Sequence, residues 1–285
     1  MDNGEYTDID MATISHKIWV FVIIGVMVAI LNVQAASAFA LTVASIQYRA
    51  VPFNKAVNIR HLSDLVRDAS ANHAKMIVLP EMCTTGLNIQ NVAEGKRLAE
   101  TIPGHSTNAF SKLAARYQVY LVLGLAETDP STDKLYNSQI IIGPDGQIIG
   151  KYRKTHLFGP DHNWAEKGDL GYQSVITKLG RIGMGICADI NYQDFLDFLS
   201  GAHISIFAFS TNWVGEESPF PYWSQKVAGG NFYFIAANNW GDAGDIHFTG
   251  GSMILSSHLS VLAQTATPIN TILYANIVIG GGEIE

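Results

Sequence analysis

YNSQIIIGPDGQIIGKYRK, residues 136–154, places two strand-like apolar runs on either side of Pro144-Asp145-Gly146. Proline fixes φ and glycine accepts positive φ, so the tripeptide reads as a tight turn and the stretch as a β-hairpin. On both sides of it, short apolar runs alternate with amphipathic segments, the pattern of strands interleaved with helices. Upstream, LTVASIQY (41–48) and KMIVLPE (75–81) read as strands. Between them Leu62, Leu65, Val66 and Ala69 recur at i, i+3, i+4 and i+7, one apolar helix face that packs on a sheet. Phe110, Leu113, Ala114 and Tyr117 repeat the spacing after Ser106, the expected cap. Tyr192, Phe195, Leu196 and Leu199 repeat it again, with Asp194 and Asp197 turned away. RIGMGI (181–186), HISIFAFS (203–210), NFYFIAAN (231–238), HFTGGSMIL (247–255), LSVLAQT (259–265) and TILYANIVI (271–279) are further strands. These are too many for one half-open parallel sheet, whereas two sheets packed face to face with helices outside bury them all. The fold class is therefore α/β. Residues 41–285 show no repeat, linker or composition break, so they read as a single domain.

Composition excludes several functions. The chain has 285 residues, 48% hydrophobic and 15% charged, which is globular rather than disordered. Lys and Arg total 18 against 25 Asp and Glu, and a net charge of −7 leaves no basic surplus to hold a phosphate backbone, so nucleic acid is not an expected partner. Two cysteines, Cys83 and Cys187, make no disulfide framework, and no Cys/His spacing suggests zinc. No metal or cofactor is expected. Residues 18–31, IWVFVIIGVMVAIL, carry no charge, follow Lys17 and precede Ala36-Ser37-Ala38 and Ala38-Phe39-Ala40. Residues 1–40 thus read as an export signal cut near 38 or 40, or as an uncleaved membrane anchor. Asp2, Glu5, Asp8 and Asp10 are unusual in such a leader, and Met11 is a second candidate start. The expected location is outside the cytoplasm, periplasmic or extracellular.

Three ionisable residues end strand-like runs: Glu81 ends IVLPE, Lys154 ends KYRK, and Cys187 ends GMGIC. Open α/β sheets present ligand-binding side chains at such strand ends. A carboxylate can take the proton of a thiol, and an ammonium can stabilise the thiolate and an oxyanion. Backbone N–H groups after Cys187 can donate to the same oxyanion. Taken singly, a cysteine at a strand end equally reads as a packed apolar group, and a lone Glu or Lys as a solvated charge.

The motifs around these residues resemble the nitrilase, or carbon–nitrogen hydrolase, superfamily. The resemblance runs from 41 to about 279 through LTVASIQ, VLPEM with Thr85-Gly86, the hairpin and its KTHLF extension, GRIGMGICAD, FSTNW, and FIAANNWG followed by FTGGSMI. It implies a four-layer αββα sandwich and a triad of Glu81 as base, Lys154 as electrostatic stabiliser and Cys187 as nucleophile. Cys187 would attack an amide or nitrile carbon, an amine or ammonia would leave, and water would release the acyl enzyme. The Ala188 N–H and Lys154 would share the oxyanion. Asp161 stands where many members carry a second glutamate, with Glu166 a weaker stand-in. Asn191 replaces an arginine, which disfavours an acidic substrate recognised there. Ala188-Asp189 resembles the amidase branches more than the nitrilases. GDLGY (168–172) is similar to carbamoyl amino acid hydrolases, and an exported member resembles the pantetheinase and biotinidase group. The family also implies a homodimer or higher homo-oligomer through the helix after Cys187, with less share for a C-terminal tail because the chain ends soon after TILYANIVI.

Other residues carry two readings. Cys83 shares the Glu81 face in a strand, as a packed or pocket-wall thiol or as a second nucleophile. His156 tunes Lys154 or bonds structurally. Asn212 and Trp213 fall where the family lines its acyl pocket, and Trp213 alternatively shelters the core. Pro219 to Trp223 is a helix start by the site or an interface patch. The functional expectation is a thiol amidase, with an N-carbamoyl hydrolase, a nitrilase or an acyltransferase as enzymatic alternatives and a silent binding module outside catalysis. A papain-like hydrolase would need His156 or His105 as partner of the thiol.

Overall fold

Strands buried on both faces read as unbroken apolar runs, and their two faces are told apart only by where alternate side chains go. In the computed structural model, which describes Met1 and residues 38–86, 89–215 and 218–280, strands β1 (Phe39–Gln47), β2 (Ala74–Val78) and β3 (Tyr120–Thr128) pair in parallel as β1-β2-β3. Val43, Met76, Val78, Tyr120 and Val122 point to the middle of the molecule. Ala44, Ile46, Ile77, Leu121 and Leu123 point outward, under helices α1 (Lys55–Ala71) and, further along the chain, α3 (His105–Tyr117). Between those two helices lies the short α2 (Val92–Leu98). The hairpin forms as expected, β4 (Leu135–Ile142) against β5 (Ile148–Arg153), with Gly146 at φ +82° and its N–H donating to Gly143 O at 2.9 Å.

A second six-stranded sheet repeats the plan. Strands β6 (Ser174–Thr177), β7 (Gly180–Ile186), β8 (Ile206–Thr211), β9 (Tyr233–Asn238), β12 (Met253–Leu255) and β13 (Val261–Gln264) lie in the order β13-β12-β9-β8-β7-β6, with β7, β8 and β9 parallel. The last strand, β14 (Thr271–Ile279), returns to the first sheet antiparallel to β1, giving the order β14-β1-β2-β3-β4-β5. Helices α4 (Gln193–Gly201) and α5 (Phe220–Lys226) cover the second sheet, where Trp223 is fully buried against Phe209 and Phe234. Burying each such ring contributes about 1.5–3 kcal/mol. The sheets are also stitched by hydrogen bonds: Ser45 Oγ donates to Ala236 O at 2.7 Å, and Gln139 Nε2 to Ser210 Oγ at 2.8 Å and Ala208 O at 3.1 Å. Residues Phe39–Ile279 thus form an αββα sandwich.

Several elements differ from the sequence expectation. Residues 120–128 and 174–177, given no element above, are strands. The run 247–255 is broken at Gly250 and Gly251, both at positive φ; it supplies β11 (Ile246–Thr249), paired with β10 (Trp240–Ala243) and bridged at Phe248 to Val214, and then β12 in the second sheet. Ser106 is not the cap of α3. Gly104 holds that position, its N–H donating to Thr107 Oγ1 at 2.7 Å, while Ser106 sits inside the first turn and donates to Glu100. The apolar run 18–31 and the cleavage-like residues 36–37 lie outside the described residues. Among the described residues no helix is long and apolar enough to cross a membrane.

Candidate active site

Glu81 lies three residues past β2, in a turn laid directly on β3. That close approach requires Gly124: a Cβ there would meet Glu81 Cα at 2.6 Å and Met82 N at 2.9 Å. Met82 is held at φ +49°, strain of the kind that concentrates at functional sites. The Glu81 carboxylate is fully buried and completely engaged. Oε1 accepts from Lys154 Nζ at 2.8 Å and Asn137 Nδ2 at 2.7 Å, and Oε2 from Asn212 N at 2.8 Å. Burial and the neighbouring Asp161 push its pKa above the usual carboxylate value, against the pull of Lys154.

Lys154 follows the last residue of β5, and a Cβ on Gly168 would lie 2.0 Å from Arg153 O, so only glycine lets the 168 loop cross here. Its ammonium, 2% exposed, also donates to Asp161 Oδ2 at 2.6 Å. Burial disfavours the charge, but the Asp161 and Glu81 carboxylates outweigh it and hold Lys154 well above its ordinary pKa. Asp161 stands in a 3-10 turn (Gly159–Asn163) and also accepts from Asn137 Nδ2 at 3.2 Å. Asn137 therefore bridges the two carboxylates, a role the sequence analysis missed. A polar residue inside a buried strand was the available signal, because such groups persist only where hydrogen-bonded. Behind Lys154, Arg153 binds Glu127 at 2.6 Å, Asp129 at 2.8 Å and Asp169 at 2.8 Å, and stacks over Tyr136.

Cys187 follows β7 directly and opens a 3-10 turn (Cys187–Asn191) at φ +42°, a left-handed conformation that costs a non-glycine residue energy. The Ala188 N–H belongs to the first turn, where a helix offers no internal acceptor. The thiol, 7% exposed, lies 4.0 Å from Asn212 O. Burial and the Glu81 charge push it up to about 12, with Lys154 opposing. Asp189 locks this turn to the Lys154 loop: Oδ2 accepts from Ile186 N at 3.0 Å and Tyr152 OH at 2.8 Å, and Oδ1 from His156 N at 3.0 Å.

Glu81, Lys154, Asp161, Cys187 and Asn212 thus meet on one cavity of about 350 Å³, whose outer wall includes Phe158, Pro160, Val214, Ile246, Asp245 and His247. Other expected residues fall elsewhere. Trp213 packs against Tyr222 and Trp223, with its backbone N–H donating to Asn238 Oδ1 at 2.9 Å, and is not part of this wall. Asn191 accepts from Tyr222 OH at 2.8 Å and is not on this wall. Glu166 is exposed and outside the wall. His156 bonds Asp189 and stacks on Tyr192, a structural role, and His105 is exposed at the start of α3. Cys83 does not share the Glu81 face, because the chain turns there. Its thiol faces the helix-covered side, donates to Gly124 O at 3.4 Å and is pushed up to about 12 by burial. Pro219 opens α5. Among the described residues no group of three or more His, Cys, Asp or Glu is arranged to hold a metal ion.

Comparisons with known proteins bear on the same segment. The family model described as carbon–nitrogen hydrolase matches residues 42–281. A nitrilase of Pyrococcus abyssi is 32% identical over 73% of this chain and 79% of its own length. Human omega-amidase is 27% identical over 78% and 83%. The crystal structure of Saccharomyces cerevisiae Nit3, a member of branch 10 of the nitrilase superfamily, shares the fold with a TM-score of 0.75 at 22% identity, covering 85% of this chain and 90% of its own. The match takes in both sheets and every strand end that builds the cavity. The chain belongs to the carbon–nitrogen hydrolase family of the nitrilase superfamily, hydrolases of C–N bonds other than peptide bonds.

Proposed function

We propose that the chain is an amidase that works through an acyl enzyme on Cys187. The observation that carries this reading is the buried Glu81 carboxylate, fixed 2.8 Å from the Lys154 ammonium on the same cavity as a thiol that stays protonated at neutral pH. Such a thiol needs a base during attack, and a carboxylate with a raised pKa is better matched to that task than an ordinary one. As Sγ bonds the amide carbon, its proton passes to Glu81. Lys154 and the Ala188 N–H stabilise the oxyanion. Glu81 then hands the proton to the leaving nitrogen, the C–N bond breaks and ammonia or an amine departs, leaving a thioester. Water, deprotonated by Glu81, cleaves the thioester, and the proton returns to Sγ. Asp161 keeps Lys154 charged throughout, because one carboxylate remains beside the ammonium when Glu81 is protonated. The apolar run 18–31 adds export to the proposal, which N-terminal sequencing of the protein recovered outside the cytoplasm tests.

The test is ammonia release from primary amides, carbamoyl amino acids and nitriles by the full chain and its Cys187→Ala variant. Release from amides that vanishes in a folded variant supports the amidase. Release confined to nitriles or carbamoyl compounds reassigns the branch, and release that survives the substitution refutes the role of Cys187.

A further inference from the structure

The charges on the cavity wall do not balance. Lys154 is committed to Glu81 and Asp161, each within hydrogen-bond distance. His247, at the exposed end, has Nδ1 on Asp242. Every cationic or basic group on the described wall therefore already has a carboxylate. Asp245, exposed at the same end, has no hydrogen bond or ion pair among the described residues. On the same wall Phe158, whose backbone N–H is tied to Asp161 at 3.3 Å, leaves 51% of its surface exposed. Pro160, Val214 and Ile246 supply the apolar surface between these residues and the buried end. An unpaired carboxylate and an open aromatic face are the two groups that attract a cation, and both repel an anion.

We infer that the exposed end of the cavity is a cation subsite, in which Asp245 and the Phe158 ring receive an ammonium that the amide substrate carries at the far end of a short aliphatic chain. This rests on the amidase reading and adds the substrate class: amides with a distal positive charge are favoured and amides with a distal carboxylate are rejected. The aliphatic segment lies along Pro160, Val214 and Ile246, and the scissile carbonyl reaches Cys187.

Three primary amides sharing a four-methylene spacer test it with the full chain: 5-aminopentanamide, hexanamide and the monoamide of adipic acid. The expected order of kcat/KM is cation, neutral, anion, with cation over anion about tenfold or more at low ionic strength and less at about 0.5 M salt. Asp245→Asn lowers the cation-to-neutral ratio about threefold, as suits an exposed charge, and Phe158→Leu lowers it about twofold. Ratios within each variant cancel any general loss of activity. Preference for the anionic amide, or ratios unmoved in both variants, overturns the subsite. If none of the three amides is turned over, the subsite is still read without turnover: pentylammonium should protect Cys187 from iodoacetamide, followed by peptide mapping, more than pentanoate does. Equal or reversed protection overturns it.

Discussion

Gly124→Ala is the substitution whose effect the geometry fixes most tightly. A methyl group at 124 would stand 2.6 Å from Glu81 Cα, 2.9 Å from Met82 N and 3.0 Å from Pro80 O. All three are backbone atoms, so no side-chain rotation relieves the contact. Ordinary carbon contacts lie at about 3.5–4.0 Å, so the turn must retreat from β3 by about 1 Å. It cannot retreat freely, because Cys83 N donates to Gly124 O at 3.0 Å and Gly124 N to Pro80 O at 3.2 Å. The movement therefore reaches the Glu81 carboxylate, whose three bonds of 2.7–2.8 Å would stretch toward 3.6 Å and cease to be hydrogen bonds. Misplacing a catalytic group by 1 Å costs about 10²-fold in rate, and overpacking of this kind costs about 1–3 kcal/mol. Ammonia release and a thermal melt on the same preparation check both numbers: kcat should fall about a hundredfold while a cooperative transition survives, lowered by several degrees. Gly201→Ala, where a Cβ in the last residue of α4 meets nothing within 4 Å, serves as the control and should leave kcat unchanged without lowering the melt. A Gly124→Ala protein within about threefold of the parent kcat would show that Glu81 is not positioned by this contact, and the reasoning would fall.

Three further outcomes follow from the electrostatics. With its thiol pushed up to about 12, Cys187 should alkylate at a rate that still climbs above about pH 10; a plateau near the free-thiol value of about 8.5 would contradict the burial argument. Replacing Arg153 with Met leaves the buried Glu127 with Lys151 as its only cation among the described residues and should cost about 3–5 kcal/mol in denaturant unfolding, with an unchanged unfolding free energy refuting it. Burial acts to raise Glu127, but bonds from Arg153, Lys151 and Ser138 outweigh it and hold its pKa below 4.5, so its contribution to stability is present above that value and is lost as pH falls through the lower folded value. In Arg153→Met the midpoint of acid unfolding should accordingly move to higher pH. Asp189→Asn removes one of the acceptors that tie the Cys187 turn to the Lys154 loop, so kcat should fall at least tenfold with KM little changed; an unchanged kcat would mean that the turn holds itself.

What the sequence discloses about this fold follows the physics of each segment. The hairpin at 136–154 is legible because Pro144 and Gly146 act locally, and the faces of α1, α3 and α4 are legible because one side of each stays in water. Strand β3 is not. YLVLGLAET is buried along nearly its whole length between a helix layer and the other sheet, so it lacks the polar alternation that marks a strand. The same distinction runs through the site. Glu81, Lys154 and Cys187 can be picked out because each ends a strand-like run, whereas Asn137 is hidden by standing within one.

The cavity wall is the least legible part, because it is assembled from loops near 158–161, 212–215 and 245–247 that no local pattern connects. Asn191 shows the cost of substituting sequence distance for spatial distance. It lies four residues from Cys187, yet the intervening 3-10 turn carries it out to Tyr222 and off the cavity wall. Asp245 lies 58 positions beyond the thiol in the sequence and shares its cavity, because β10 and β11 pair as a two-stranded ribbon whose turn reaches that wall. On the proposed subsite, selectivity would rest on two loops outside both sheets, and the proposed chemistry on residues at the strand ends. A change of substrate charge should accordingly be reachable by substitutions at 158 and 245 alone, with the Glu81–Lys154–Asp161 cluster left intact.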